Sequence, residues 1–347
     1  MARLNLLLRD GIKTLVPYSS KTPKHKIKLD IMENPYPIPE AVKNKIKKAI
    51  DKIALNRYPD PEAEKLRLSI SRYVGLPSDM ILVGNGSDEL ILYILLAFSG
   101  KVIFPTPTFP MYEIIGKVAS CETIGIPLIS SFGLDCGRII DEAKKSKSII
   151  FIAYPNNPTG NCFDEKEIER IIEETDSIVI IDEAYYEFSK KSFVGLLPSY
   201  NRLAILRTFS KAFGLAGLRC GYILANKEFI GCIEKVKLPY NLNIISQEIV
   251  AICLEEKDSF EKIIEKIIAE RERLSQELLK IEEIKVFPSS ANFLFFKVEK
   301  PGIVYSLLLK EGILVKQVAD GLRITTGTSD ENKAFIEAMK RILNHSV

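Results

Sequence analysis

Lys211 stands in the stretch LRTFSKAFGLAGLRCGY, between a β-type apolar run and a segment rich in glycine and alanine. A lysine carried by a strand end into a crevice is partly desolvated, which lowers its pKa and makes it an amine nucleophile toward an aldehyde. Thr208 and Ser210 precede it and Arg219 follows. Asp182 ends the apolar run SIVII, with Tyr185 three residues on. A carboxylate at that place is costly unless it meets a cation or hydrogen-bond donors. Asn157, in NNPTG after SIIFIAYP, sits on what by itself is an ordinary Asn-Pro turn. Ahead of these, ILV runs into GNGSDE. Gly84 and Gly86 permit a tight turn, and Ser87 and Asp88 open a helix whose backbone N–H groups point toward an anion. Alone that turn is a weak signal, because it matches neither the three-glycine dinucleotide fingerprint nor the P-loop.

Taken together, an anion cradle, an aspartate and an activated lysine suit pyridoxal 5′-phosphate, whose phosphate, ring nitrogen and aldehyde need those three partners. Histidine offers little alternative. Only His25 and His345 occur, one near each end, which leaves little material for a Ser-His-Asp triad, a His-ligated metal or a histidine base. The six cysteines form no C-x-x-C pair, so no metal site is expected and the thiols read as buried and reduced.

The elements that must position these residues are legible between about residues 80 and 225. MILV, KVIFP, SIIFIAYP, SIVIIDEAY, LAILRTFS and RCGYILA alternate with amphipathic stretches such as Asp164 to Glu174. Near-continuous apolar strands predict an α/β fold with a mainly parallel sheet covered on both faces, and ligands bind such sheets beyond the carboxyl ends of the strands. After residue 240, Phe260, Ile263, Ile264, Ile267, Ile268, Leu274 and Leu278 lie on one helical stripe, expected to pack on a smaller domain. ANFLFFKV follows, and Asp320-Gly321 between two apolar runs predicts a hairpin. The expected division is an N-terminal arm over 1–30, a large domain over 31–240 and a small α+β domain over 241–347. Pro35, Pro37 and Pro39 keep the chain extended until it clears residue 39, and Pro61 fits the first turn of the next helix.

In this order and spacing, YPNNPTG, IVIIDEAYYEF and RTFSKAFGLAGLRCGY resemble the fold-type I aminotransferases. With ENPY, RYPD, GNGSDE, KLPYNLN and LRITTGT added, the chain is similar to their histidinol-phosphate branch over nearly its whole length. The resemblance implies that Lys211 bonds the cofactor aldehyde and later carries the proton at Cα. It implies that Asp182 keeps the pyridine nitrogen protonated, and that Tyr185 and Asn157 donate to the ring oxygen. Ser87, Asp88, Thr208, Ser210 and Arg219 would hold the phosphate, with Phe109 of TPTFPMY on the ring face where relatives usually have tyrosine. Tyr58 of the RYP motif would reach the neighbouring subunit's cofactor, which implies a homodimer. Arg323, in isolation a routine strand arginine, would bind the substrate anion, because its planar fork accepts a carboxylate or a phosphate. Tyr18 would assist with the substrate phosphate. The implied substrates are histidinol phosphate and the glutamate/2-oxoglutarate pair.

Tyr154, where relatives commonly have asparagine, and IMENPYPIP depart from the family pattern and bear on the mouth of the substrate pocket. Threonine-phosphate decarboxylase and aromatic-amino-acid aminotransferase activities stay open within the class. A non-catalytic cofactor-binding regulator would need a DNA-binding domain, and no helix-turn-helix is recognisable ahead of Gly84. With 48 Lys plus Arg against 45 Asp plus Glu, the net charge of +3 draws the chain to neither nucleic acid nor anionic lipid. The lysine-rich stretch from Lys21 to Lys52 holds Tyr36 alone, no interleaved series of stacking aromatics, and reads as solvated surface. Arg3 and Arg9 bracket the N-terminal leucines and the apolar run Leu90 to Phe98 is too short to span a bilayer, so a cytoplasmic protein is expected.

Overall fold

The structure, a computed structural model, describes residues 7–13, 15–17 and 23–344. Tyr18 lies outside the described residues. Along the chain, β1 spans Ile27–Lys28. Then come β2 (Ile81–Gly84), β3 (Lys101–Thr106), β4 (Thr123–Pro127), β5 (Ser148–Ala153), β6 (Ile178–Asp182), β7 (Leu203–Thr208) and β8 (Gly221–Ala225). These seven form one sheet in the order β2-β8-β7-β6-β5-β3-β4. Every neighbouring pair is parallel except the two that β8 makes. The mainly parallel sheet expected from the apolar runs is therefore present, and β5 and β7 are buried at every position. Strand β4 was not anticipated. Its sequence TIGIP carries a glycine and a proline, which an edge strand tolerates because it pairs on one side only.

Side-chain alternation assigns the strand residues to two cores. Phe151, Ala153, Ile180, Ala204 and Leu206 join the core under the Ser87–Ala97 and Met111–Val118 helices. Ile150, Ile152, Val179, Ile181 and Ile205 join the opposite one. Asp182 and Thr208 continue the first series at the carboxyl edge of the sheet, and Glu183 and Arg207 continue the second.

A second sheet is antiparallel, in the order β12-β13-β10-β9, built from β9 (Ile284–Val286), β10 (Phe293–Val298), β12 (Lys316–Val318) and β13 (Gly321–Thr325). The hairpin between β12 and β13 turns one residue earlier than expected, on Ala319 and Asp320, with Ala319 at φ 50. Gly321 already belongs to β13, where a Cβ would meet the Phe296 carbonyl at 2.5 Å, so its glycine serves close strand approach rather than the turn. Pro61 likewise precedes its helix, which begins at Glu64. There the Asp60 carboxylate accepts from the N–H groups of Glu62 and Glu64.

Beyond residue 240 the helices pack on both cores. The Ile244–Glu255 helix contributes Val250, Ala251, Cys253 and Leu254 to a large-sheet core. The Lys257–Leu279 helix then spans both bodies: Phe260, Ile264 and Ile267 sit in that core, whereas Leu274 and Leu278 sit with the small sheet. At the other end, β1 pairs in parallel with β11 (Ile313–Leu314), so the chain just before residue 30 is fastened to the C-terminal body. Of the six cysteines, Cys136, Cys220 and Cys253 are buried, and Cys121, Cys162 and Cys232 are only half-buried.

Candidate active site

Parallel strands of common direction end at one edge, and the polar residues singled out in the sequence gather there. A cavity of about 430 Å³ is lined by Ser87, Asp88, Phe109, Asn157, Asp182, Tyr185, Thr208, Ser210, Lys211, Arg219 and Arg323. Tyr58 is not among its walls. It is 82% exposed and stacked on Tyr240, ring centroids 4.7 Å apart.

Asp182, the last residue of β6, is 4% exposed. Its Oδ2 accepts from the Tyr112 hydroxyl at 2.7 Å and its Oδ1 from the Ala184 N–H at 3.1 Å. Burial raises its pKa to about 6, and those two donors oppose the rise. Lys211 follows the end of β7, its Nζ donating to the Ile31 carbonyl at 3.1 Å. Burial lowers its ammonium to about 8, with the Arg323 charge acting in the same direction. Arg323, on β13, donates to the Asn157 side-chain oxygen and, at 2.7 Å, to the Asp30 carbonyl. It also lies over the Phe293 ring, which meets Tyr185 edge-on at 5.2 Å. One cation thereby ties the small sheet to the edge of the large one. Burial pushes the Tyr185 phenol well above its ordinary range, so it enters chemistry as a neutral hydroxyl.

The far wall is built for an anion. Gly86 caps the Ser87–Ala97 helix at φ 87, a left-handed backbone that side chains disfavour. A Cβ on Gly86 would meet the Arg219 guanidinium at 2.6 Å, and one on Gly221 would meet the Ser87 nitrogen at 2.7 Å. The two glycines let the helix start and Arg219 converge, and Arg219 also pairs with Asp88 at 3.2 Å. Thr208 donates to the Ser210 hydroxyl at 3.0 Å, fixing both beside the lysine.

The sequence reading missed several lining residues. Ile31, Met32 and Glu33 form a strap along the cavity, and Lys316 and Val318 come from β12. Residues 31–33 lay within the quoted IMENPYPIP, yet nothing in residue type singled out any of the five. Tyr112 was missed too, since a tyrosine on an amphipathic helix reads as core.

A family model for aminotransferase class I and II matches residues 24–339. The chain belongs to this aminotransferase family. Histidinol-phosphate aminotransferase of Caldanaerobacter subterraneus subsp. tengcongensis is 42% identical, over 97% of this chain and 99% of the relative. The enzyme of the same name from Pyrococcus furiosus is 41% identical, over 97% and 98%. Among solved structures, histidinol-phosphate aminotransferase from Clostridium acetobutylicum superposes with a TM-score of 0.85 at 29% identity, covering 92% of this chain and all of that one. This aminotransferase works with pyridoxal phosphate, and the cavity fits that group. Asp182 offers a buried carboxylate, Lys211 an amine whose pKa burial lowers to about 8, and Gly86 and Gly221 allow Arg219 and the Ser87 N–H a close approach that a Cβ would block.

Proposed function

We propose that the protein transfers the amino group of L-histidinol phosphate to 2-oxoglutarate, giving imidazole acetol phosphate and L-glutamate in histidine biosynthesis. The observation that carries this is the union of Lys211, Asp182, Asn157, Arg219 and Arg323 in one cavity, within a chain more than two-fifths identical to enzymes of that name.

Bound pyridoxal phosphate supplies an aldehyde for the amine and a ring that draws electrons from Cα. The chain's own residues do the rest. The Ser87–Asp88 helix start, Thr208, Ser210 and Arg219 bind the phosphate. Asp182 presents a carboxylate to the ring nitrogen and keeps a proton there. Asn157 and Tyr185 orient the ring from its oxygen side. Lys211, poised near neutrality, takes a proton from Cα and returns one. Arg323 grips the acidic group of either substrate, a carboxylate of glutamate or the phosphate of histidinol phosphate. The Asp30 carbonyl and Asn157 hold its fork in place beforehand.

The reading extends to a cytoplasmic homodimer in which Tyr58 serves the partner's cofactor phosphate. Its support is an exposed aromatic pair beside exposed Leu55 and Leu238. To test the substrate, purified protein is mixed with histidinol phosphate and 2-oxoglutarate and glutamate is measured. Glutamate should form. None formed, with aromatic amino acids turning over well or carbon dioxide leaving threonine phosphate, would reject the assignment.

A further inference from the structure

Tyr112 does not line the cavity, yet it touches the residue on which the cofactor ring depends. It sits on the Met111–Val118 helix, fully buried, its ring stacked on Phe151 of β5 with centroids 5.0 Å apart. Phe109 of the cavity wall meets it edge-on at 5.5 Å. Phenylalanine would satisfy every one of those ring contacts. The hydroxyl is what phenylalanine lacks, and it donates to Asp182 Oδ2 at 2.7 Å. A buried carboxylate on a single backbone donor would be free to turn about its last torsion. With a second donor from another element, its plane is fixed.

We propose that Tyr112 is a positioning residue, whose hydroxyl fixes the orientation in which the Asp182 carboxylate meets the cofactor ring nitrogen. This rests on the reading that the cavity holds pyridoxal phosphate. The other titratable groups whose charge is felt at Asp182 are Asp88 from the Ser87–Ala97 helix, Tyr185, and Glu183 on the opposite face of the sheet. Both carboxylates favour protonation of Asp182, and Tyr112 opposes them.

The test measures pyridoxal phosphate binding to apoprotein by equilibrium dialysis across pH, with wild type, Tyr112→Phe, Asp182→Asn and the double variant. Tyr112→Phe should bind about tenfold more weakly, as expected for losing a hydrogen bond to a charged group. Asp182 binds the ring nitrogen when ionised, so affinity is held above its pKa and lost as pH falls through it. Without the hydroxyl that pKa rises, and the acid limb moves to higher pH. In the Asp182→Asn background the Phe substitution should cost nothing further, an outcome that a packing defect cannot give. Equal affinity, an unshifted limb, or the same loss in both backgrounds would overturn the role of Tyr112 alone. A wild-type chain that takes up no pyridoxal phosphate would overturn the cofactor reading with it.

Discussion

Lys211 carries the sharpest prediction at the scale of single residues. Borohydride treatment of the loaded protein should leave a pyridoxyl group on the Lys211 peptide, read by mass spectrometry. Lys211→Ala should leave none and should lose activity by about 10²- to 10⁴-fold, the range for removing a general acid–base group. A pyridoxyl group on another lysine would refute its role. The pH dependence follows from the same side chain. Its folded value of about 8 lies below the ordinary 10.5, so the amine is mostly neutral above pH 8 and protonated below. Uptake of pyridoxal phosphate by apoprotein should therefore slow as pH falls through about 8, followed by absorbance after mixing. A rate flat across that value would mean that some other group limits capture. Lys211 and Asp182 were legible in the sequence because a charge closing an apolar run has few structural uses. Tyr112 was not, because its ring belongs to the core and only its hydroxyl reaches the site.

Strands and helices set a second constraint, directly behind the site. The alternation that aims Asp182 and Thr208 at one face of the sheet sends Glu183 and Arg207 to the other. There both are buried, with Arg207 donating to Glu183 Oε2 through Nε at 3.0 Å and Nη2 at 2.8 Å. The Phe193 N–H and the Ser192 hydroxyl also donate to Glu183, and Arg207 lies over the Tyr186 ring. Burial raises the Glu183 pKa, and the Arg207 charge opposes that. Removing one partner strands the other, at a cost of about 3 to 5 kcal/mol. Arg207→Met should accordingly lower the urea midpoint, and Arg207→Met with Glu183→Gln should recover part of the loss. A single variant as stable as wild type would show that the pair contributes nothing to holding β6 beside β7. At this scale the sequence patterns located the central strands well, since fully apolar runs of five or six residues leave little choice. They say less where one element serves two cores. The Lys257–Leu279 stripe is continuous, so no change of pattern marks where it leaves one core for the other.

Across the whole molecule, chain order and spatial order diverge most in the N-terminal segment. Residues 27–33 run from a strand pair in the C-terminal body to the cavity wall, where the Asp30 and Ile31 carbonyls meet Arg323 and Lys211. Nothing local in IMENPYPIP foretells contacts with residues some 180 and 290 positions away. In the proposed homodimer Tyr58 would pose the same problem between molecules, because its loop is anchored while its ring is 82% exposed. Gln247 donates to the Asp60 carbonyl and Lys237 to that of Pro61, both near 3 Å. A pinned loop that presents an exposed tyrosine fits delivery of that side chain to a second copy. Tyr58→Ala and Lys211→Ala chains should each be inactive alone. Unfolded together and refolded as a mixture, about half the dimers would be mixed. In these, the Lys211-bearing chain receives Tyr58 from the other, completing one of two sites. Roughly a quarter of wild-type activity should then return. If Tyr58 served its own subunit, every site in the mixture would lack one group or the other, and the refolded sample would stay as inactive as its components.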